Sequence, residues 1–321
     1  MSISLINTPV ALVFFIRPET FRRVFDAVKK ARPAKLFLIQ DGPRAGYPED
    51  MEKILACRKI AEEIDWDCEI YKNYSEVNLG CGVRPYSGIS WVFEHVDRAI
   101  ILEGDCIPDE SFFGFCDALL EQYKDDERIA MISGLNHFGT YDCGKNDYFF
   151  GKTGAIWGWA TWKRVWAQYD YRLRSMDDTR LLQRDIRHNR AGKRIIRHLK
   201  TTRQKDGMNV SYWDTQWDYI KYSQSMLCII PAKNLICNVG IGTGSTHSAS
   251  EISLLPKKIG DFFYKPVYPV SLPLSAPPTV LCSHDYDKRY YNTVYPNMLV
   301  KAVRKLRYYR KMFFRRWKRM V

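Results

Sequence analysis

Along the first 134 residues, short apolar runs alternate with segments whose apolar residues recur every three or four positions. Pro9–Ile16 is an unbroken apolar run, the pattern of a buried strand, and it ends in Arg17-Pro18. Thr20–Ala31 then carries Phe21, Val24, Phe25 and Val28 at helical spacing. Lys35–Gln40 reads as a second strand, stopped by the turn Asp41-Gly42-Pro43. In Pro48–Ile64 the residues Met51, Ile54, Leu55 and Ala61 predict one helical face, and Cys68–Lys72 predicts a third strand. A glycine-rich loop at Asn78–Gly82 and a short helix at Ser87–Glu94 lead to Arg98–Leu102, an apolar strand running into Glu103-Gly104-Asp105. Ser111–Tyr123 follows as a helix with Phe112, Phe113, Cys116, Leu119, Leu120 and Tyr123 inward, and Ile129–Ser133 as a strand. This alternation predicts an α/β fold: a Rossmann-like, mostly parallel central sheet flanked by helices and joined by right-handed crossovers.

Beyond Gly134 the pattern becomes irregular. Residues 135–150 read as an excursion, and Ile156–Trp166 holds four tryptophans, most of which read as packing, with sugar stacking by one of them as the functional alternative. Arg172–Lys205 is polar and basic and predicts two short exposed helices. Ser211–Ser223 predicts a helix with Trp213, Trp217 and Ile220 on one face and the acids Asp214 and Asp218 near its start. Leu227–Ile230 and Leu235–Val239 read as strands, Gly240–His247 as a flexible loop, and Pro256–Pro278 as a surface-wrapping segment without periodicity. The expected organisation is a domain over 1–255, with halves meeting near 134/135, an irregular segment over 256–296 and a basic helix over 297–321.

Charge and cysteine usage narrow the picture. The chain of 321 residues carries a net +13, but Asn297–Val321 holds ten Lys/Arg and no acid, which leaves about +3 for the rest. A nucleic-acid-binding body is therefore not expected. Nine cysteines without a Cys-x-x-Cys pair argue against a disulfide framework or structural zinc. No secretory signal is legible and no apolar run approaches the roughly 20 residues of a bilayer span, so a cytoplasmic protein is expected. In Asn297–Val321 the residues Leu299, Val303, Leu306, Tyr309, Phe313, Trp317 and Met320 form an apolar stripe among basic residues. This is an amphipathic helix suited to the anionic inner face of the cell membrane, or to docking on the body.

Three early strands thus end in polar residues suited to a nucleotide. Arg17 can meet a phosphate, Asp41 can accept from a base or ribose, and Glu103 with Asp105 can hold a hard divalent cation. In extended chain Glu103 and Asp105 share a side, and Gly104 between them allows close approach to the backbone. The first strand-to-helix turn has no glycine fingerprint, and there is no P-loop sequence.

The order of motifs resembles the nucleotide-diphospho-sugar glycosyltransferases of the GT-A fold over roughly residues 8–250. The motifs are a strand ending in Arg-Pro, one ending in Gln-Asp-Gly-Pro, Asn-Leu-Gly-Cys, a strand ending in Glu-x-Asp, Trp-Gly-Trp-Ala and Trp-Asp-x-x-Trp. Bacterial surface-polysaccharide enzymes are the nearer likeness and N-acetylglucosaminyltransferase I a distant one. The resemblance implies a metal-dependent, inverting transferase moving a sugar from a UDP-sugar, or a GDP-sugar, to a glycan or lipid-linked glycan acceptor. It implies that Arg17 contacts the donor diphosphate, Asp41 with Gly42 the nucleobase, Arg84 the donor pocket and Glu103 the sugar hydroxyls. Asp105 would hold Mn²⁺ or Mg²⁺, Asp214 or Asp218 would be the base, and Thr243, Ser245 and His247 would belong to a loop over the donor. Many relatives carry an acid where this chain has Gly104; that departure bears on a ribose contact and leaves Asp105 as the metal ligand. Nucleotidyl transfer, or binding of a nucleotide sugar or nucleic acid without catalysis, are the alternatives; a nucleotidyltransferase usually has a basic, glycine-rich phosphate loop near the first strand, absent here.

Overall fold

The computed structural model describes residues 6–173, 212–241, 255 and 257–294. The basic stretch 297–321, the loop residues Thr243, Ser245 and His247, and the expected helices of 172–205 beyond Leu173 lie outside the described residues.

The first half follows the expected alternation. Strand β1 (Val10–Phe14), helix α1 (Pro18–Ala31), β2 (Lys35–Gln40), α2 (Glu49–Ala61), β3 (Glu69–Tyr74), α3 (Gly80–His95) and β4 (Arg98–Glu103) come in that order. After them come β5 (Cys106–Pro108), α4 (Ser111–Gln122) and β6 (Ile129–Ser133). The chain then adds β7 (Tyr148–Gly151), β8 (Trp159–Trp162), α5 (Lys163–Trp166), α6 (Asp214–Ser223), β9 (Leu227–Pro231), β10 (Ile236–Asn238), α7 (Lys257–Gly260) and α8 (His284–Val294). Eight of the described strands form one sheet in the order β3-β2-β1-β4-β8-β6-β9-β7. Strands β1 to β4 are mutually parallel, as are β6 and β9, while β8 and β7 run against their neighbours. The fold is a mixed α/β architecture with a mostly parallel central sheet.

Two consequences place the site. The chain turns back between β1 and β4, so the carboxyl ends of β1, β2 and β4 meet at a switch point, where open α/β sheets leave a crevice. Because β8 is antiparallel, pairing Ile101 with Trp159, its lead-in residues Ile156 and Trp157 arrive at that same edge. A separate antiparallel ribbon of β5 and β10 pairs Cys106 with Asn238, which brings Gly240 beside Asp105.

Several expectations are corrected. Met51 and Leu55 of α2 are exposed, and the helix instead buries Ile54, Cys57, Ile60 and Ala61. The stretch 78–82 is not a free glycine loop, since α3 begins at Gly80 and continues through Pro85 to His95. Both oxygens of Asp41 receive N–H groups there, from Gly42 (2.9 Å), Leu79 (2.8 Å) and Gly80 (2.9 Å), which satisfies the start of α3 from a neighbouring strand. Strand β7 begins within the excursion 135–150, and α7 and α8 lie within the segment expected to be irregular. Helix α8 is fixed by Asp287, which accepts from the backbone N–H of Lys152 and from Thr153 Oγ1.

The tryptophans explain the second half. Trp159 is fully buried, with ring centroids 5.8 Å from Trp213 and 5.3 Å from Trp217, and Trp166 lies 5.3 Å from Trp217. The two tryptophan motifs therefore pack together, and truncating one such buried ring typically costs about 3–5 kcal/mol. Tyr169 adds a hydrogen bond from its hydroxyl to the Trp213 carbonyl (2.8 Å). This aromatic block fixes the start of α6, and with it Asp214.

Candidate functional site

A cleft of about 530 Å³ occupies the switch point and collects Arg17, Asp41, Arg84, Glu103, Asp105 and Asp214. Each comes from a different local cause. Arg17 follows β1, Asp41 follows β2, Glu103 ends β4, Asp105 sits between β4 and β5, and Asp214 opens α6. Gly104 also lines the cleft. Gly42 is not among the cleft residues; a Cβ there would lie 2.6 Å from the Val77 backbone, so it serves the packing of the two loops.

The acidic centre is tightly built. Arg17 Nη1 donates to Asp105 Oδ2 (3.3 Å) and to the Gly240 carbonyl (3.1 Å). A Cβ on Gly240 would lie 2.3 Å from Asp105 Oδ2, so only glycine admits this approach. The Val239 N–H, donating to the Asp105 carbonyl (2.9 Å), pins the β10 end to the same residue. Glu103, Asp105 and Cys106 present one ligand atom each within 4.8 Å of one another. Burial holds the Cys106 thiol well above its ordinary pKa, and nearby Asp105 and Glu103 add to this. The sulfur therefore stays protonated, and the hard donors left for a cation are the carboxyl groups of Asp105 and Glu103, the latter once a bound cation displaces its proton. That set fits Mg²⁺ or Mn²⁺, with substrate oxygens and water completing the shell.

Gly104 has a structural reason of its own. A Cβ there would lie 3.1 Å from Phe14 Cβ, and Phe14 stacks on Phe21 with centroids 4.1 Å apart. An acid at this position would press into that aromatic pair, so the missing acid is traded for packing of β1 against β4 and α1.

Carboxylate electrostatics point one way. Burial, then Asp105 and Asp214, push Glu103 up to about 8. Burial also raises Asp105, against the opposing charge of Arg17, and raises Asp214, with Asp218 adding to it. A carboxyl with a raised native pKa holds a proton that the unfolded chain releases, so stability falls as pH rises from the usual glutamate value toward about 8. His137, held by burial down to about 3, works oppositely: the stability associated with it rises with pH up to its unfolded value. We predict that the metal-free protein melts roughly 2–3 °C lower at pH 8 than at pH 6 relative to a Glu103→Gln variant, the order of a 1–2 kcal/mol change. Mn²⁺ should stabilise the native sequence more at pH 8, because ligation requires the released proton. Parallel melting curves for the two proteins across this range would count against the shift.

The remaining residues divide clearly. Asp214 lies in the cleft and accepts from the Thr215 N–H (2.9 Å), whereas Asp218 is half exposed and pairs with Lys221 Nζ (2.8 Å). Arg84 is buried, holds the Asn73 carbonyl and side chain through Nη2, and leaves Nε without a partner. Of the tryptophans in Ile156–Trp166, Trp157 reaches the cleft, its ring 4.6 Å from that of Phe263. Sequence reasoning missed Asn78, Asn238, Tyr212 and Phe263 as cleft residues. Asn238 ends β10 and follows the same strand-end logic as Glu103, whereas Phe263 sits in a segment with no periodic signal.

No family model and no curated protein sequence matches the chain. Among solved structures, the chain shows similarity to a UDP-glucose pyrophosphorylase complexed with UDP-glucose, at 8% identity, covering 71% of this chain and 91% of that one with a TM-score of 0.37. It is similar in the same way to the inositol-1-phosphate CTP transferase from T. maritima, at 9% identity, 80% and 95% coverage and a TM-score of 0.37. A third is the 4-diphosphocytidyl-2C-methyl-D-erythritol synthase from Anaerococcus prevotii, at 12% identity, 51% and 74% coverage and a TM-score of 0.31.

Proposed function

We propose that this protein is a metal-dependent glycosyltransferase that moves a sugar from a nucleotide-diphospho-sugar, UDP-linked or GDP-linked, to an acceptor hydroxyl. The observation that carries this reading is the convergence of Arg17, Glu103, Asp105 and Asp214 on one cleft at the sheet's switch point. Glu103 and Asp105 would hold Mn²⁺ or Mg²⁺, which when bound supplies charge to the donor diphosphate. Arg17 would contact the same diphosphate and stabilise the charge that grows on it as the glycosidic C–O bond breaks. Asp214, whose pKa burial and then the charge of Asp218 raise above the ordinary aspartate value, would take the proton from the acceptor hydroxyl as that oxygen bonds to the anomeric carbon. A single displacement inverts that carbon. Trp157 offers a ring on which an apolar sugar face can rest. The acceptor is proposed to be a surface glycan, or a lipid-linked glycan met at the inner membrane face through residues 297–321. Among the described residues no helix is long and apolar enough to cross a membrane.

Nucleotidyl transfer is the second reading, and it is the activity named for the similar structures above. One feature of this chain favours it: Asp214 Oδ1 already accepts from the Thr215 N–H and faces Thr215 Oγ1 at 3.4 Å, so the carboxylate also serves the first turn of α6. Nucleotidyl transfer to a sugar phosphate needs no base, because its nucleophile is an ionised phosphate oxygen. One assay separates the two. With Mn²⁺, a panel of nucleotide sugars and glycan acceptors should yield nucleoside diphosphate and a lengthened glycan. Diphosphate released from nucleoside triphosphate and sugar phosphate, with no glycan product, would establish the second reading instead.

A further inference from the structure

A second cavity, of about 550 Å³, opens beside α7 and α8 and shares no lining residue with the cleft. Its walls carry Lys258, Lys265, Lys288 and Arg289 against two carboxylates, Asp261 and Asp285. Among the described residues none of these four cations is ion-paired. The cavity lining therefore carries a local excess of two positive charges.

The cavity floor is aromatic and neutral. The Arg289 guanidinium lies 3.8 Å from the centroid of Phe138, which supports it face-on and leaves its in-plane N–H donors to the side. Phe262 packs against the buried His137 with centroids 5.1 Å apart. The Tyr286 hydroxyl meets both the His137 backbone N–H (2.9 Å) and Nδ1 (3.3 Å), and Nε2 has no partner among the described residues. Burial, followed by the charges of Lys265 and Lys221, keeps this imidazole neutral. Burial likewise lowers Lys265, opposed by Asp261 and, to a smaller extent, reinforced by Arg289.

We propose that this cavity binds a phosphate-bearing anion, held by Lys258, Lys265, Lys288 and Arg289 over the Phe138–Phe262 floor. Four cations against two carboxylates match a dianion, and ammonium point charges beside one guanidinium fork suit a tetrahedral phosphate. The volume falls within the range of small-ligand pockets, about 300–1,000 Å³, which leaves room for an organic body on the phosphate. A soluble phosphate compound and a phospholipid headgroup present the same group.

The test uses the full chain in chelator with Arg17→Ala, so that the cleft contributes no phosphate contact through that arginine. Its partner carries Lys258→Gln and Lys288→Gln in addition, both at exposed positions where removing charge leaves packing intact. Two probes are compared: inorganic diphosphate by calorimetry, and phosphatidylcholine vesicles with or without phosphatidic acid by sedimentation. Residues 297–321 are identical in both proteins, so a difference between them reports the cavity. We expect about tenfold weaker binding in the lysine-substituted protein, equivalent to 1.4 kcal/mol. A loss seen with diphosphate identifies a soluble phosphate ligand, and a loss confined to phosphatidic acid vesicles identifies a headgroup. Equal binding of both probes by the two proteins, or binding of neither by the Arg17→Ala protein, overturns the proposal.

Discussion

Asp105→Ala abolishes the metal dependence of nucleotide-sugar binding, with donor affinity falling about a thousandfold, the several kcal/mol that a bound cation contributes at a diphosphate. The expectation rests on geometry. Asp105 and Glu103 are the hard donors in the one cluster of three or more His, Cys, Asp or Glu side chains among the described residues whose ligand atoms can share a cation, and the Cys106 thiol beside them stays protonated. Asp105 also receives Arg17 Nη1 at 3.3 Å, so its loss disturbs the diphosphate contact as well as the cation. Asp105→Asn separates the two causes of failure. The amide keeps the shape that Gly240 packs against while removing the charge, and it should lose metal dependence to a similar degree. Calorimetric titration of donor with Mn²⁺ and with chelator reads both variants; affinities that match the native protein under both conditions would remove Asp105 from the metal site.

Asp214→Asn slows sugar transfer by about 10²–10⁴-fold, the range for losing a general base, while donor binding in the presence of metal is retained. The amide oxygen can still accept from the Thr215 N–H, so the first turn of α6 keeps its hydrogen bond. Trp213 and Trp217 hold that turn independently through their packing on Trp159 and Trp166. Asp218→Asn is the matched control: Asp218 is half exposed and paired with Lys221, and its replacement should leave turnover close to normal. Full turnover of the Asp214→Asn protein would sink the base assignment, and under nucleotidyl transfer that is the outcome expected.

Much of the architecture was legible because it is local. Strand β2 and strand β6 have the bounds that the sequence pattern predicts, and the inward residues of α1 and α4 are those at helical spacing. The failures were also local rules overridden by tertiary ones. The glycines of Asn78–Gly82 read as a loop, yet α3 begins at Gly80 because Asp41, just after β2, accepts from the Leu79 and Gly80 N–H groups. Met51 and Leu55 match a helical period, yet α2 turns Cys57 and Ile60 inward instead, because the period fixes a face without choosing among overlapping ones. Strand β7 escaped notice because four apolar residues inside an irregular stretch carry too little pattern to register.

The site divides along the same line. The strand-end residues Arg17, Asp41, Glu103 and Asp105 could be found in the sequence, because parallel βαβ connection forces the carboxyl ends of such strands to one edge. The sequence by itself therefore determined the class of fold, the edge at which the cleft opens and the acids that gather there. It could not choose between Asp214 and Asp218, which sit on one helix; the aromatic block around Trp159 and Trp217 orients α6 so that Asp214 enters the cleft while Asp218 meets Lys221. Nor could it show that Gly240 belongs against Asp105, or that Gly104 yields to Phe14, since both are close approaches between segments far apart in the chain. Such contacts depend on how packed layers register against one another, a property of the folded volume that residue order encodes only through the whole.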